Sequence, residues 1–131
     1  MFVLDTNTLI YFFKGQGRIA ERLLSMPPAE IAVPAVVVYE LEVGIAKSSQ
    51  PTKRRRQLDD LLDAISVWPL DRDAANAAAT IRARLEAKGE PIGTLDILIA
   101  GTALSKRAIL VTRNEREFKR VQGLSVANWF D

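Results

Sequence analysis

FVLDTN, residues 2–7, is a short apolar run stopped by an acid: Phe2, Val3 and Leu4 read as a buried strand, and Asp5 as its end. The same pattern returns along the chain. Glu30 to Val33, Ser66 to Leu70, Ala108 to Val111 and Ser125 to Ala127 are further short strands. Helical stretches separate them. Thr6 to Lys14 closes at Gly15 and Gly17, Arg18 to Ser25 stops before Pro27-Pro28, and Ala35 to Lys47 follows Pro34, expected in the first turn. Pro51 opens a helix through Ala64, and Asp71 or Asp73 caps an alanine-rich helix ending at Gly89. Thr94 is expected to cap a helix running to Arg107, and Asn114 to Phe118 is a helical turn. Short apolar strands alternating with helices specify an α/β fold whose parallel sheet is covered on both faces. Ligands of such sheets bind outside the carboxyl ends of the strands, so the polar residues falling there are the candidates.

The chain has 131 residues without a repeat, linker or low-complexity tract, which fits one domain. Hydrophobic residues make up 48% and charged residues 26%, the composition of a folded protein. Cysteine and histidine are both absent. That excludes disulfides, thiolate or imidazole zinc sites, Ser-His and Cys-His nucleophile pairs, and histidine acid–base catalysis. Any chemistry must use carboxylates, hydroxyls, Lys, Arg or water activated by a metal. Met1 runs straight into FVLDTN with no basic leader, and no apolar run approaches the roughly 18 residues of a membrane span. A cytoplasmic protein that does not enter membranes is expected.

The net charge is +2 and the pI about 9.2. With no histidine, a small excess of base lifts the pI steeply, so the pI says little about partners. The distribution says more. Lys47, Lys53, Arg54, Arg55 and Arg56 form one acid-free basic stretch, and Arg113, Arg116, Lys119 and Arg120 another, interrupted by Glu115 and Glu117. Either cluster could steer nucleic acid or simply keep a helix face solvated; charge alone does not separate the two.

Four acidic signals stand out. Asp5 ends the first strand, on the binding edge of the sheet; its plainer role is an N-cap. Glu40 shares a helical stripe with Val36, Val37, Val43 and Gly44, where an unpartnered carboxylate is costly. Its plainer role is a stripe-edge residue reaching water. Glu42 lies about 200° round the same helix and is not expected to join it. Asp96 sits in the first turn of an otherwise apolar helix, GTLDILIAGTAL, where the helix dipole alone favours an acid. Gly93 and Gly101 there permit close backbone approach. Beyond the strand AILV come Thr112, Asn114 and Glu117, with a capping box as the rival reading. Together these put oxygen ligands at the end of strand one, on two apolar helices and after a later strand. Clustered carboxylates raise one another's pKa, and a hard divalent cation relieves the conflict. Oxygen-only ligands suit Mg²⁺ or Mn²⁺, ions that activate water and offset charge on a phosphate without histidine.

These residues carry a resemblance. VLDTN at the start, YELEVG in the third helix, PIGTLDILIAGTAL, ILVTRNEREF and the closing VQGLSVANW, in this order, resemble the PIN-domain ribonucleases, specifically VapC toxins of bacterial VapBC toxin–antitoxin pairs. The resemblance covers nearly the whole chain and implies a single PIN domain over residues 1–131. It implies a three-layer α/β/α sandwich with a parallel sheet of about five strands in the order 3-2-1-4-5. It also implies Mg²⁺-dependent endonucleolytic cleavage of RNA, homodimerisation, and assembly with an inhibiting VapB antitoxin. By motif, Asp5, Glu40 and Asp96 match the three core acids. Many relatives have Asp where Asn114 stands; a subset pairs Asn there with an acid three residues on, here Glu117. Asn114 is therefore assigned to positioning a ligand or water, and Glu117 to the side of a second metal. Thr6 and Thr112 are expected to hold the carboxylates, and Arg113, Arg116 and Lys119 to contact phosphates. The PIG-LD and TRNEREF blocks are most similar to VapC toxins that cut initiator tRNA in its anticodon loop, a single-stranded and accessible target.

Three rival readings fit parts of the same sequence. DTNT is similar to the DxDxT motif of haloacid-dehalogenase phosphatases, but Asn7 replaces the general acid that motif needs. A receiver domain would need a phospho-accepting Asp ending its third strand, where WPLDRD offers Asp71 only after Pro69. A non-catalytic binding module would act through its basic surface alone, and would tolerate loss of Asp5 and Asp96.

Overall fold

β1 (Phe2–Leu4) lies in the middle of a five-stranded sheet of order β3-β2-β1-β4-β5 in the computed structural model, which describes all of residues 1–131. The other strands are β2 (Ile31–Pro34), β3 (Ser66–Trp68), β4 (Ile109–Val111) and β5 (Ser125–Ala127), and every pairing is parallel. Val3 is in register with Ala32 on one side and Leu110 on the other, and all three are completely buried. A strand hidden on both faces must be apolar on both, which is why these strands read as continuous runs without alternation. The strand order matches the expectation. It also excludes the receiver, whose family has the order 2-1-3-4-5.

The helices are α1 (Thr6–Phe13), α2 (Ile19–Leu24), α3 (Ala35–Ala46), α4 (Pro51–Ala64), α5 (Arg72–Ala87), α6 (Thr94–Ser105) and α7 (Glu115–Phe118). Connections step outward from β1 in both directions, and right-handed crossovers then deposit their helices on opposite faces of the sheet. α6 is central. Ile97, Ile99, Ala100, Gly101, Thr102 and Ala103 are all buried, as an apolar circumference requires. It packs against α5 so tightly that a Cβ on Gly101 would stand 2.7 Å from the Cβ of Ala78. Small residues on both helices permit that approach. No helix is long and apolar enough to cross a membrane.

Several local expectations are corrected. Pro34 is the last residue of β2 and the N-cap of α3, not part of its first turn. Gly93, not Thr94, precedes α6 as its N-cap, with no side-chain cap bond; Thr94 is already helical. α6 ends at Ser105, and β3 ends at Trp68 where Pro69 interrupts the ladder. Asp71 rather than Asp73 caps α5, accepting a 2.9 Å bond from the Ala74 amide. Asn114 occupies the N-cap position of α7 without a side-chain cap bond, so the capping-box alternative does not hold there.

Candidate active site

The strand order reverses at β1, and the crevice between the ends of β1 and β4 is where a doubly wound sheet binds its ligand. Asp5 follows β1 there and Thr112 follows β4; the Asp5 amide donates to the Val111 carbonyl at 3.2 Å. Asp5 is also the N-cap of α1, its Oδ1 accepting a 2.9 Å bond from the Thr8 amide. Capping therefore does not compete with a site role but fixes the carboxyl in place. Asp5, Thr8 and Thr112 are 5%, 2% and 0% exposed, a polar nest within an apolar sheet edge. Burial pushes the Asp5 carboxyl above its ordinary pKa, and hydrogen bonds from Thr112 and Thr8 work against that rise.

Glu40 is half-buried on α3, and its Oε1 accepts a 2.7 Å bond from the Thr6 hydroxyl. Asp96, half-buried in the first turn of α6, is pushed up to about 6, first by burial and then by the negative charges of Asp5, Glu117 and Glu40. That dependence brings all four acids into one field. Asn114 donates from Nδ2 to Oε2 of Glu117 at 2.9 Å, and the Thr112 hydroxyl accepts from the Asn114 amide at 3.0 Å. Thr6 thus holds Glu40, Thr112 holds Asp5, and Asn114 holds Glu117.

The donor chemistry fits a hard divalent cation: every side-chain ligand is an oxygen, and the charges of Asp5, Glu117 and Glu40 add to burial in raising the proton affinity of Asp96. No three of the carboxyl groups stand close enough to grip one ion as they are oriented, so closing round it requires side-chain rotation. Glu42 stays outside, as expected; both its oxygens accept from Arg55 on α4, which lowers its pKa.

The basic residues divide. Arg113 lies over the Phe130 ring, with Cζ 3.6 Å from the centroid, and near Tyr11 at 5.5 Å. Arg116 is exposed, and Lys119 is 4.0 Å from Glu115. On the other side of Glu40 opens a cleft of about 430 Å³ with Lys14, Arg54, Ser48 and Ser49 on its walls. Of the α4 cluster, only Arg54 faces this cleft. Thr8 was not foreseen as part of the site; its place three residues after a capping acid was the available signal. Phe130 and Tyr11 carried no sequence signal as partners of Arg113.

Residues 2–124 match the PIN domain. The tRNA(fMet)-specific endonuclease VapC of Shigella flexneri is 34% identical over 128 residues, covering 98% of this chain and 97% of that protein. Ribonuclease VapC2 of Haemophilus influenzae is 35% identical over 128 residues, with the same 98% and 97% coverage. Among solved structures, VapBC2 of Rickettsia felis bound to a promoter DNA fragment superposes with a TM-score of 0.91 at 32% identity, covering 98% of each chain. DNA-bound VapBC of Salmonella typhimurium gives 0.91 at 34%, covering 98% of this chain and 97% of that one.

Proposed function

The chain belongs to the PIN-domain family and, within it, to the VapC ribonucleases, and from that premise we propose that it is the toxin of a VapBC pair, cutting RNA with Mg²⁺ or Mn²⁺ held by Asp5, Asp96 and Glu40. The observation that carries the metal assignment is the elevation of Asp96 to about 6 by Asp5, Glu117 and Glu40 together with burial. Such a site gains most from a bound cation. Glu117 serves the side of a second ion, and Asn114 fixes it and orients a ligand or water.

The reaction is in-line hydrolysis of a phosphodiester. Water adds to phosphorus, the bond to the 3′ oxygen breaks, and that oxygen leaves protonated. A bound divalent ion supplies the polarisation of water and the stabilisation of charge on phosphate and leaving oxygen. The chain's own residues supply placement. Thr6 and Thr112 hold the carboxylates in orientation, as outer-sphere partners do. Arg113, Arg116 and Lys119 contact RNA phosphates and fix the strand across the acids.

The name of the Shigella relative supports initiator tRNA as substrate, whose single-stranded anticodon loop is the accessible target, and the VapBC assemblies support a VapB-type antitoxin as the partner that silences the enzyme. A homodimer in the cytoplasm completes the reading by family likeness. The test is cleavage of total cellular RNA with new 5′ ends mapped. Cutting is expected to stop with EDTA and return with Mg²⁺ or Mn²⁺. Undiminished cutting after chelation sinks the metal assignment, and new ends outside tRNA sink the substrate.

A further inference from the structure

We propose that Phe130, with Tyr11, is a positioning residue that holds the Arg113 guanidinium face-on, so that its edge N–H groups are presented to a phosphate of the RNA strand. This rests on the ribonuclease reading above. Arg113 directly follows Thr112 beyond the end of β4, and its side chain forms no ion pair with any acid: the chain's ion pairs are Arg18–Glu21, Arg55–Glu42, Arg82–Glu86, Lys106–Asp71 and Lys119–Glu115. Its contacts are instead the rings of Phe130 and Tyr11. Stacking occupies the face of the guanidinium and leaves its five in-plane donors unspent, the geometry that receives a phosphate in a bidentate fork.

The platform is built, not incidental. Tyr11 meets Phe130 edge-on, with centroids 4.8 Å apart and planes at 67°. The Phe130 amide donates to Asn128 Oδ1 at 2.9 Å, and its carbonyl accepts from the Arg18 amide at 2.9 Å. Arg22 ties the same tail at two points, donating to the carbonyl of Asn128 at 2.8 Å and that of Asp131 at 3.0 Å. Gly17, at φ +66°, leaves room for the ring; a Cβ there would come within 2.6 Å of it. The C-terminal tail is thereby locked so that one ring lies under one arginine.

The experiment is equilibrium binding of a fluorescein-labelled, mixed-sequence single-stranded RNA to the full chain in EDTA, by anisotropy across a salt series. Phe130→Leu is expected to weaken binding about tenfold and to lower the log–log salt slope by about one, as Arg113→Ala does. Phe130→Tyr keeps a ring and should stay within about threefold of wild type. In an Arg113→Ala background, Phe130→Leu should cost nothing more, because its effect acts through Arg113. An undiminished loss in that background, or no loss in the single variant, overturns the proposal while leaving the ribonuclease reading intact. Wild type that neither binds nor cuts RNA overturns both. Should Phe130→Leu not fold, Arg113→Lys decides: its charge remains but the planar stack is gone, so affinity near Arg113→Ala supports the proposal and affinity near wild type overturns it.

Discussion

The Thr6 hydroxyl reaches Oε1 of Glu40 at 2.7 Å, joining the start of α1 to the middle of α3 across 34 residues of sequence. Neither side chain is fully buried, so the bond is worth little as stability and more as orientation. Thr6→Val should therefore lower RNA cleavage by about tenfold with a melting temperature close to wild type, and Thr6→Ser should restore most of the rate. Initial rates on a fluorogenic RNA check it, and equal activity of the valine variant would show that Glu40 is held by something else.

Asp96→Asn separates function from stability. Cleavage should fall by about 100-fold or more, beyond the cost of losing an outer-sphere partner. In EDTA the same variant should melt higher by roughly 3–5 °C, about 1 kcal/mol for a half-exposed carboxyl whose repulsion is partly screened. The sign follows from the pKa. The folded chain holds the Asp96 proton more tightly than the unfolded one, about 6 against 3.8, so ionisation opposes folding. The gap between variant and wild type should be near zero well below the unfolded pKa of 3.8, open as pH rises through 4 to 6, and stay level above. Calorimetry in EDTA at several pH values reads this directly, and a gap that does not grow as pH rises from below 3.8 to 6 would refute it.

Metal affinity should run the other way with pH. A cation must displace the proton on Asp96, so Mn²⁺ binding by titration calorimetry should weaken by about tenfold per unit below pH 6 and level off above about 7. Asp5 is raised too, by burial, and the two acids interact, so the inflection belongs to the cluster rather than to one residue. A flat profile between pH 5 and 7 would place the ion elsewhere.

Gly101 tests the α5–α6 contact. A valine there would drive its Cβ into the Ala78 Cβ and backbone at 2.7–2.8 Å, with no flexible side chain to yield. Gly101→Val should destabilise by about 3 kcal/mol, and Gly101→Ala by about 1–3 kcal/mol, measured by urea unfolding. A neutral valine variant would mean that the two helices slide apart freely.

The elements were legible because each strand is a short apolar run between breakers, as FVL before Asp5 and ILV before Thr112 show. Glu40 and Asp96 were legible for a related reason, since a charge on an apolar helix face asks for an explanation. The order of the strands was not in the residue pattern: nothing in ILV says that it pairs with FVL, and the order was supplied by family likeness and borne out by the pairing of Val3 with Leu110. Caps were misjudged where geometry overrides preference, as at Thr94, which has the favoured side chain but the wrong backbone position. The Arg113–Phe130 stack was invisible because a cation over a ring has no spacing rule and exists only once the tail has docked.

β1 occupies the centre of the sheet, and its partner β4 comes from far along the sequence, Phe2 pairing with Ile109. A nascent chain stopped before Ile109 has no β4, no Thr112 against Asp5 and no Glu117 near Asp96. Asp5 and Glu117 come into one field only once β4 has paired with β1, so the acidic site forms together with the sheet and not before it.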